Sequence, residues 1–170
     1  MARILVFDSD PAGLACHGKG NPEANEFRAW MHGQWGAGSI LVIPAIVDYE
    51  LRRSLILAEA WDGLVRLDAL YASNRVRCLS ISDAAMRTAA RLWADARRRG
   101  QQTAHDHALD ADVIFSAQAI EFCSDLDEWQ IITENVGHIS RYVGDRARSR
   151  RSVVGDWFKS ERGLLDPELG

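Results

Sequence analysis

Short apolar runs separated by longer amphipathic stretches make up most of this chain, and the pattern predicts β-strands that alternate with α-helices. Residues 2–7, 39–43, 75–81 and 129–133 are runs of strand length. The first run shows no polar alternation, which is typical of a strand buried on both faces of a parallel sheet. We therefore predict that residues 2–7 form the central strand.

Helical patterns fill the intervals between these strands. Asn21, Pro22 and Glu23 supply an N-cap, a first-turn proline and an early acid. Ser82 caps another helix, which Gly100 ends. This order of elements predicts an α/β fold with three α/β/α layers, in which helices flank a central parallel sheet. The predicted helices cover residues 22–35, 44–57, 59–71, 82–99 and 110–122.

The bulk composition is that of one ordinary domain, since 170 residues can bury a core without disulfides or metals. No apolar stretch has the length of a membrane span, and residues 4–7 are too few for the core of a signal peptide. We therefore expect a cytoplasmic protein with no membrane partner. The three cysteines are odd in number and far apart, which favours reduced thiols over a disulfide framework or a zinc site.

Three acids and one asparagine stand where a parallel sheet would gather them. Asp8 ends the first predicted strand, and Asn135 follows the last. Glu50 lies on the apolar stripe of its helix, and Asp112 opens another helix. Ligands of open α/β sheets bind at the carboxyl ends of strands, so we expect these side chains at one edge. Carboxylate and amide oxygens there suit Mg²⁺ or Mn²⁺, whereas zinc prefers His and Cys.

Each of these residues also has a structural explanation. Asp8 could form a turn or a cap with the residues that follow it. Asp110 and Asp112 straddle a helix start, where one carboxylate is needed only as a cap. For Glu50 the pattern favours a functional role, because a carboxylate buried on the apolar stripe of a helix needs a cation as its partner. Arg52 or Arg53 could be that partner, but each points well round the helix from Glu50.

The histidines are weaker candidates. His105 and His107 lie two residues apart, but no third nitrogen or thiolate ligand is near them in sequence, which favours a polar loop. His138 lies one helical turn beyond Asn135. We interpret it as a surface histidine whose hydrogen bonds are satisfied, with contact to a phosphate or a leaving group as the alternative.

Positive charge is concentrated in one segment, although the net charge of the chain is −4. Residues 141–151 hold five arginines and one aspartate, which gives +4. Guanidinium groups suit bidentate contact with phosphates, so we predict that these arginines bind a nucleic acid. The alternative is that arginine is simply the usual surface cation of a chain with two lysines. The five residues are Arg141, Arg146, Arg148, Arg150 and Arg151.

Four segments, taken in order, resemble the PIN-domain ribonucleases. Each motif is weak alone, but their order and spacing match that family over roughly residues 3–143. The segments are ILVFDSD at 4–10, IPAIVDYEL at 43–51, LDADVIFSAQA at 109–119 and TENVGH at 133–138.

The resemblance implies a site that binds Mg²⁺ or Mn²⁺ and hydrolyses RNA. Asp8 and Asp112 would ligate the metal directly, and Glu50 would complete the shell or orient the attacking water. Asp110 would be an auxiliary ligand. Asn135 departs from the family, since many members carry an acid there. Because an amide oxygen is the weaker ligand, we expect activity to need millimolar metal.

The resemblance also implies partners and a domain boundary. Many bacterial members are VapC-type toxins held inactive by a small antitoxin, and dimers are common. We therefore expect an RNA substrate, an antitoxin partner and a homodimer. The PIN-like nuclease domain would span residues 1–145, and residues 146–170 would form an arginine-rich extension packed on that domain or trailing from it.

Two rival functions remain open from the residues alone. Asp8 and Asp10 also resemble the nucleophile and acid of haloacid-dehalogenase phosphatases. Those enzymes need a lysine between the first motif and the late acids, whereas Lys19 comes at once and Lys159 follows the acids. The other rival is a non-catalytic RNA- or protein-binding module, for which Asn135 would signal weakened metal chemistry.

Overall fold

A computed structural model describes residues 3–101, 103, 105, 109–126 and 128–165, with residues 162–165 described by their backbone alone. Strands and helices alternate along the chain as the sequence pattern predicts. In chain order the elements are β1 (Ile4–Phe7), α1 (Ser9–Ala15), α2 (Pro22–Gly36), β2 (Ile40–Pro44), α3 (Ala45–Leu57), α4 (Trp61–Ala72), β3 (Val76–Leu79), α5 (Asp83–Arg98), α6 (Ala111–Cys123), β4 (Trp129–Thr133), α7 (Val136–Val143), a 3₁₀ turn (Gly144–Arg146), β5 (Ala147–Ser149) and α8 (Arg150–Leu165).

Five parallel strands form one sheet in the order β3-β2-β1-β4-β5. All four residues of the central strand β1 are at most 4% exposed. Helices on both faces bury these side chains, which explains why β1 lacks polar alternation. The predicted α/β fold, with a central parallel sheet flanked by helices, is confirmed.

The pattern missed four short or late elements: α1, α7, β5 and α8. Helix α1 has only seven residues and contains both Pro11 and Gly13. Strand β5 has three residues, too few to show a periodicity. It pairs with β4 through Ile131↔Ala147, and α8 packs against α2. Residues assigned from sequence to an extension thus supply the fifth strand.

Aromatic packing joins β1 to α2. The ring centroids of Phe7 and Phe27 are 5.4 Å apart, and those of Phe27 and Trp30 are 5.3 Å apart. Helix α8 lies against the same helix, where a methyl group on Gly33 would lie 2.6 Å from the Trp157 ring. A glycine is therefore required at this helix crossing.

A buried glutamine connects the helices that carry two candidate site residues. Gln118 of α6 is 1% exposed. Its side-chain oxygen accepts a hydrogen bond from the Ile46 N–H (3.3 Å), and its side-chain nitrogen donates to the Leu79 carbonyl (3.0 Å). Both partners are backbone groups, so Gln118 holds the start of α3 and the end of β3 against α6. This contact sets α3, which carries Glu50, relative to α6, which carries Asp112.

Cys16, Cys78 and Cys123 are free, and only Cys78 is exposed. Burial raises the pKa of the Cys123 thiol to about 11. Over the described ranges, none of the helices combines the length and the apolar character needed to cross a membrane.

Candidate active site

The strand order creates a crevice at the carboxyl ends of β1 and β4. The chain runs from β1 outward to β2 and β3, and then returns to β4 on the other side of β1. In open α/β sheets ligands bind at such a reversal of strand order. Asp8 directly follows β1, and Asn135 lies two residues beyond the end of β4.

All four residues predicted to share one edge line the same open cavity, which has a volume of about 310 Å³. These residues are Asp8, Glu50, Asp112 and Asn135. The same cavity is also lined by Ser9, Leu51, Arg53 and Ser54. Residues from four separate segments therefore converge where the topology predicts a ligand.

Asp8 is both a helix cap and a cavity residue, so the two interpretations of it are compatible. Its Oδ1 accepts a hydrogen bond from the Ser9 N–H (2.7 Å), which caps α1. Its Oδ2 accepts one from the Thr133 hydroxyl (2.5 Å). The Asp8 N–H donates to the Ile132 carbonyl (3.1 Å), which ties the end of β1 to β4. Asp8 is thus fixed from both strands.

Glu50 is half-buried, with 27% of its side chain exposed. The Ser9 hydroxyl donates to Oε2 (2.7 Å), and Arg53 lies 3.6 Å from Oε1. The expectation that both arginines point away is wrong for Arg53, because residues three apart are neighbours on a helix. Arg52 instead bridges Asp48 and Asp68. Burial alone therefore does not demand a metal at Glu50.

Asp112, Asn135 and His138 form the other wall of the site. The Asn135 side-chain nitrogen donates to Asp112 Oδ2 (3.2 Å). Nδ1 of His138 lies 3.2 Å from the same oxygen. His138 is 42% exposed and its partner is a site carboxylate, so it is a surface histidine with a hydrogen-bond partner. Its contact with a phosphate or a leaving group stays a prediction.

Asp110 does not line this cavity. It is the N-cap of α6, where Oδ1 accepts hydrogen bonds from the Val113 N–H (3.3 Å) and the Thr103 hydroxyl (2.9 Å). Arg97 lies 3.9 Å from Oδ2, and the side chain is only 5% exposed. Of the two acids at this helix start, Asp110 is the cap and Asp112 faces the cavity. The structure therefore does not favour an auxiliary-ligand role for Asp110.

The site concentrates negative charge that its surroundings only partly compensate. Burial raises the pKa of Asp8, and the charges of Asp112 and Glu50 raise it further, against the hydrogen bonds from Thr133 and Ser9. Burial also raises the pKa of Asp112, against its bonds to His138 and Asn135. Raised carboxylate pKa values in a shared cavity indicate a place where a cation would be stabilised.

The donor set fits a hard divalent cation, although its members are not gathered into a compact cluster. Over the described part of the chain, no three His, Cys, Asp or Glu side chains are already close enough to hold a metal ion together. Mg²⁺ needs only one or two carboxylates and keeps several waters. Asp8 and Asp112 meet that requirement in a cavity open to solvent.

Neither a family model nor a curated protein sequence matches this chain. Solved structures do match it. VapBC2 from Rickettsia felis, bound to a DNA fragment from its promoter, has a TM-score of 0.66 at 14% identity, covering 86% of this chain and 98% of that one. The fold is PIN-like.

Two further structures agree. VapBC-1 from nontypeable Haemophilus influenzae has a TM-score of 0.63 at 14% identity, covering 87% of this chain and 98% of that one. DNA-bound VapBC from Salmonella typhimurium has a TM-score of 0.61 at 16% identity, covering 88% and 99%. Identities this low establish the PIN-like fold alone, so the chemistry must be argued from the site residues.

The five arginines do not form one surface of this PIN-like fold. Arg146 stacks over the ring of Trp129, the first residue of β4, with 4.6 Å to the ring centroid. Arg146 and Arg148 line a separate cavity of about 520 Å³ with Arg3 and Glu128, which precede β1 and β4. That cavity is at the amino-terminal edge of the sheet. The five arginines are near one another in sequence but are divided in the fold, because β5 carries the chain from one edge of the sheet to the other.

The other three arginines differ in exposure. Arg150 is buried and bound by acids, so it is not available to a phosphate. Arg151 is 73% exposed beside Glu134. Arg141 donates to the Gln101 carbonyl (3.2 Å). A nucleic-acid role for Arg141 and Arg151 stays a prediction.

Three residues of the site were not identified from the sequence, although the sequence position of each gave a weak indication of its role. Ser9 and Thr133 are hydroxyl residues at the ends of the central strands, next to or shortly before a candidate ligand. Arg53 is three residues beyond Glu50, on the same helix face. Of the histidine pair, His105 is described, whereas His107 and the aspartate between them lie outside the described residues.

Proposed function

We propose that this chain is a cytoplasmic Mg²⁺- or Mn²⁺-dependent endoribonuclease, the toxin of a toxin–antitoxin pair. The observation that carries the proposal is the convergence of Asp8, Glu50 and Asp112 on one cavity at the strand-order reversal. The VapBC names of the structural neighbours support the toxin–antitoxin setting.

The residues that line the cavity would have different roles in the cleavage of RNA. Asp8 and Asp112 would hold the ion, with the side-chain oxygen of Asn135 as a weaker third donor. When bound, such an ion would supply stabilisation of the charge that develops on the phosphate and would lower the pKa of the attacking water. Glu50, held by Ser9, would orient that water towards the phosphorus as the leaving oxygen departs. Arg53 lines the same cavity and would contact the phosphate.

RNA beyond the scissile phosphate needs further cationic contacts. We propose Arg141 and Arg151 for this role among the five arginines of the segment, together with Arg53. Arg53 is 54% exposed and Arg151 is 73% exposed, so both guanidinium groups have access to solvent. Phosphate contacts of this kind contribute affinity without base specificity.

The phosphatase rival loses support at Asp10, its expected acid. Asp10 binds Arg150 (2.7 Å) and does not line the cavity. The lysine that the mechanism needs is also missing, since none of the described residues that line the cavity is a lysine.

Metal-dependent cleavage of RNA tests the proposal. The native chain should cut mixed-sequence single-stranded RNA with millimolar Mn²⁺ or Mg²⁺, and EDTA should stop the reaction. Fragment patterns resolved on a sequencing gel, with each metal and with EDTA, measure this directly.

The control is metal binding measured without RNA. Calorimetry should show Mn²⁺ binding that Asp8→Asn weakens strongly. Binding without cleavage would point to an RNA target absent from the mixture. If the native chain neither binds Mn²⁺ nor cuts RNA, the endoribonuclease proposal fails and the non-catalytic module replaces it.

The antitoxin would cover an exposed apolar surface where α3 meets α4. Leu57 is 87% exposed, Trp61 60% and Val65 68%, a concentration of apolar surface typical of protein contacts. Leu57 lies two helical turns, about 10 Å, beyond Glu50 on α3. A partner bound there would therefore contact α3, the helix that carries Glu50. The homodimer stays a prediction.

Leu57→Asp tests this surface. A co-expressed antitoxin should bind the native chain and suppress cleavage, whereas Leu57→Asp should escape suppression, because a carboxylate would be buried without a partner in the interface. Ser54→Asp on the same helix is not a suitable control, since Ser54 lines the cavity. Glu59→Lys, between the two helices, provides a charge change beside the surface. Equal inhibition of Leu57→Asp and native chain would rule the surface out.

A further inference from the structure

Arg150, the first residue of α8, is an unusual arginine because it is buried, with only 3% of the residue exposed. Its Nε donates to Asp10 Oδ2 (2.7 Å), and one terminal nitrogen donates to Glu23 Oε1 (2.8 Å). Glu134 Oε1 lies 3.8 Å from the same Nε. A guanidinium keeps its charge at any ordinary pH, so its burial depends on these three acids.

The three acids belong to three different segments of the chain. Asp10 is in the first turn of α1, and Glu23 is in the first turn of α2. Glu134 lies between the end of β4 and the start of α7. A single side chain from the C-terminal helix therefore ties together the starts of two helices and the loop after a central strand.

Two of these segments carry the candidate site. Asp10 follows Asp8 by two residues, within the helix that Asp8 caps. Glu134 stands between Thr133, whose hydroxyl binds Asp8, and Asn135, whose side chain binds Asp112. Neither Asp10 nor Glu134 lines the cavity itself. Arg150 thus lies behind the site and contacts the two chain segments that form its walls at β1 and β4.

The connection also runs through the backbone. The Arg151 N–H donates to Glu134 Oε1 (3.0 Å), so the start of α8 holds this carboxylate from two directions. A carboxylate at a helix N-terminus is favoured by the helix dipole as well. The Ser149 hydroxyl, at the end of β5, donates to the same oxygen (3.4 Å), so Glu134 is held by α8 and by the end of β5.

We propose that Arg150 is a positioning residue of the candidate active site, which holds the Asp8 segment and the Asn135 segment in register at the carboxyl ends of β1 and β4. It acts through Asp10 on one segment and through Glu134 on the other. The inference deepens the proposed function and rests on it for what the site does, but the geometry can be tested without RNA or metal.

Amide hydrogen exchange on two single variants provides the sharpest test. Asp10→Ala removes the tie to α1, and Glu134→Ala removes the tie to the β4–α7 loop, without leaving Arg150 entirely unpaired. Asp10→Ala should speed exchange at the Ser9 and Ala12 amides by about tenfold or more, with little change at Asn135. Glu134→Ala should do the reverse, since loss of one tie loosens only its own segment.

Substitution of Arg150 itself removes both ties at once. Arg150→Met should therefore speed amide hydrogen exchange in both the Asp8 segment and the Asn135 segment. Arg150→Lys keeps the charge but lacks the planar fork, so it should fold and still loosen at least one segment. Arg52→Met is the matched control, because Arg52 also bridges two acids, Asp48 and Asp68, and lines no part of the candidate cavity. It should leave Ser9 and Asn135 within about twofold of the native exchange rates.

Cleavage kinetics then separate positioning from mere stability. Under the proposed function, Arg150→Lys should lower kcat about tenfold or more while the KM for RNA stays within about twofold, as expected when geometry and not binding is lost. If the native chain neither binds Mn²⁺ nor cuts RNA, the proposed function fails, while the exchange data still decide this inference. Exchange at Ser9 and Asn135 within twofold of native in both alanine variants would overturn it, even if Arg150→Met does not fold.

Discussion

Replacing Asp8 with asparagine should lower kcat/KM for metal-dependent RNA cleavage by about a thousandfold or more, a loss of about 4 kcal/mol of transition-state stabilisation. The change removes one of the two carboxylates proposed to hold the ion. It should leave the fold intact, because an amide oxygen can still cap Ser9, and the amide nitrogen can donate to the Thr133 oxygen. Asp112→Asn should have a similar effect on cleavage.

Asp110→Asn is the matched control, since it changes the acid two residues away that caps α6. Asparagine caps helices as well as aspartate does, so the variant should fold and cut RNA at nearly the native rate. Initial rates at saturating Mn²⁺, measured for all three variants on one labelled RNA, make the comparison. A loss in Asp110→Asn as large as that in Asp112→Asn would contradict the division between cap and site residue.

Substitution of Asp8 and Asp112 should also change how the stability of the fold depends on pH, which can be measured in EDTA without metal. The pKa values of Asp8 and Asp112 are raised above 3.8 in the folded chain, so the folded state binds these protons more readily than the unfolded state. Their contribution to stability therefore grows as the pH falls from 7 towards 3.8 and is lost as it rises. Relative to the native chain, the double variant Asp8→Asn/Asp112→Asn should gain Tm at pH 7 and should lose this advantage on acidification.

Phe27→Ala should cause the largest loss of stability, about 3–5 kcal/mol. The ring is fully buried between Phe7 and Trp30. Its removal loses the transfer free energy of the ring and leaves a cavity that the surrounding sheet and α2 cannot fill. For a chain of this size the loss corresponds to a fall in Tm of roughly 6–20 °C, which calorimetry would measure.

Trp61→Ala is the control for aromatic truncation, because this ring is 60% exposed. Its free energy of unfolding should change by less than about 0.5 kcal/mol. A Phe27→Ala variant no less stable than Trp61→Ala would mean that the aromatic contacts between β1 and α2 contribute little to the fold.

The sequence located strands β1 to β4 and most long helices to within a few residues, and the reason is burial. A strand covered on both faces has an unbroken apolar run, as residues 4–7 show, and a long helix repeats its apolar positions several times. Short elements give no such repetition. Helix α1 and strand β5 have seven and three residues, and both were missed.

The site was only partly predictable. The position of Asp8 and Asn135 after buried strands follows from local pattern and the rule that parallel strands share one edge. The choice between Asp110 and Asp112 does not, because both are acids at one helix start. Asp110 caps α6 through the Val113 N–H, and Thr103, a residue outside any helix or strand, donates to the same carboxylate.

By itself, the sequence determined which runs form the buried strands and most of the long helices, since these follow from local periodicity, and it determined that Asp8 and Asn135 come just after such strands. The tertiary structure alone decided the roles of the charged side chains. In the sequence Arg150 is one of several arginines in a basic segment. In the fold it is buried against Asp10, 140 residues earlier in the chain. The partner of a charge is set by the folded arrangement, and no local pattern encodes a contact across that distance.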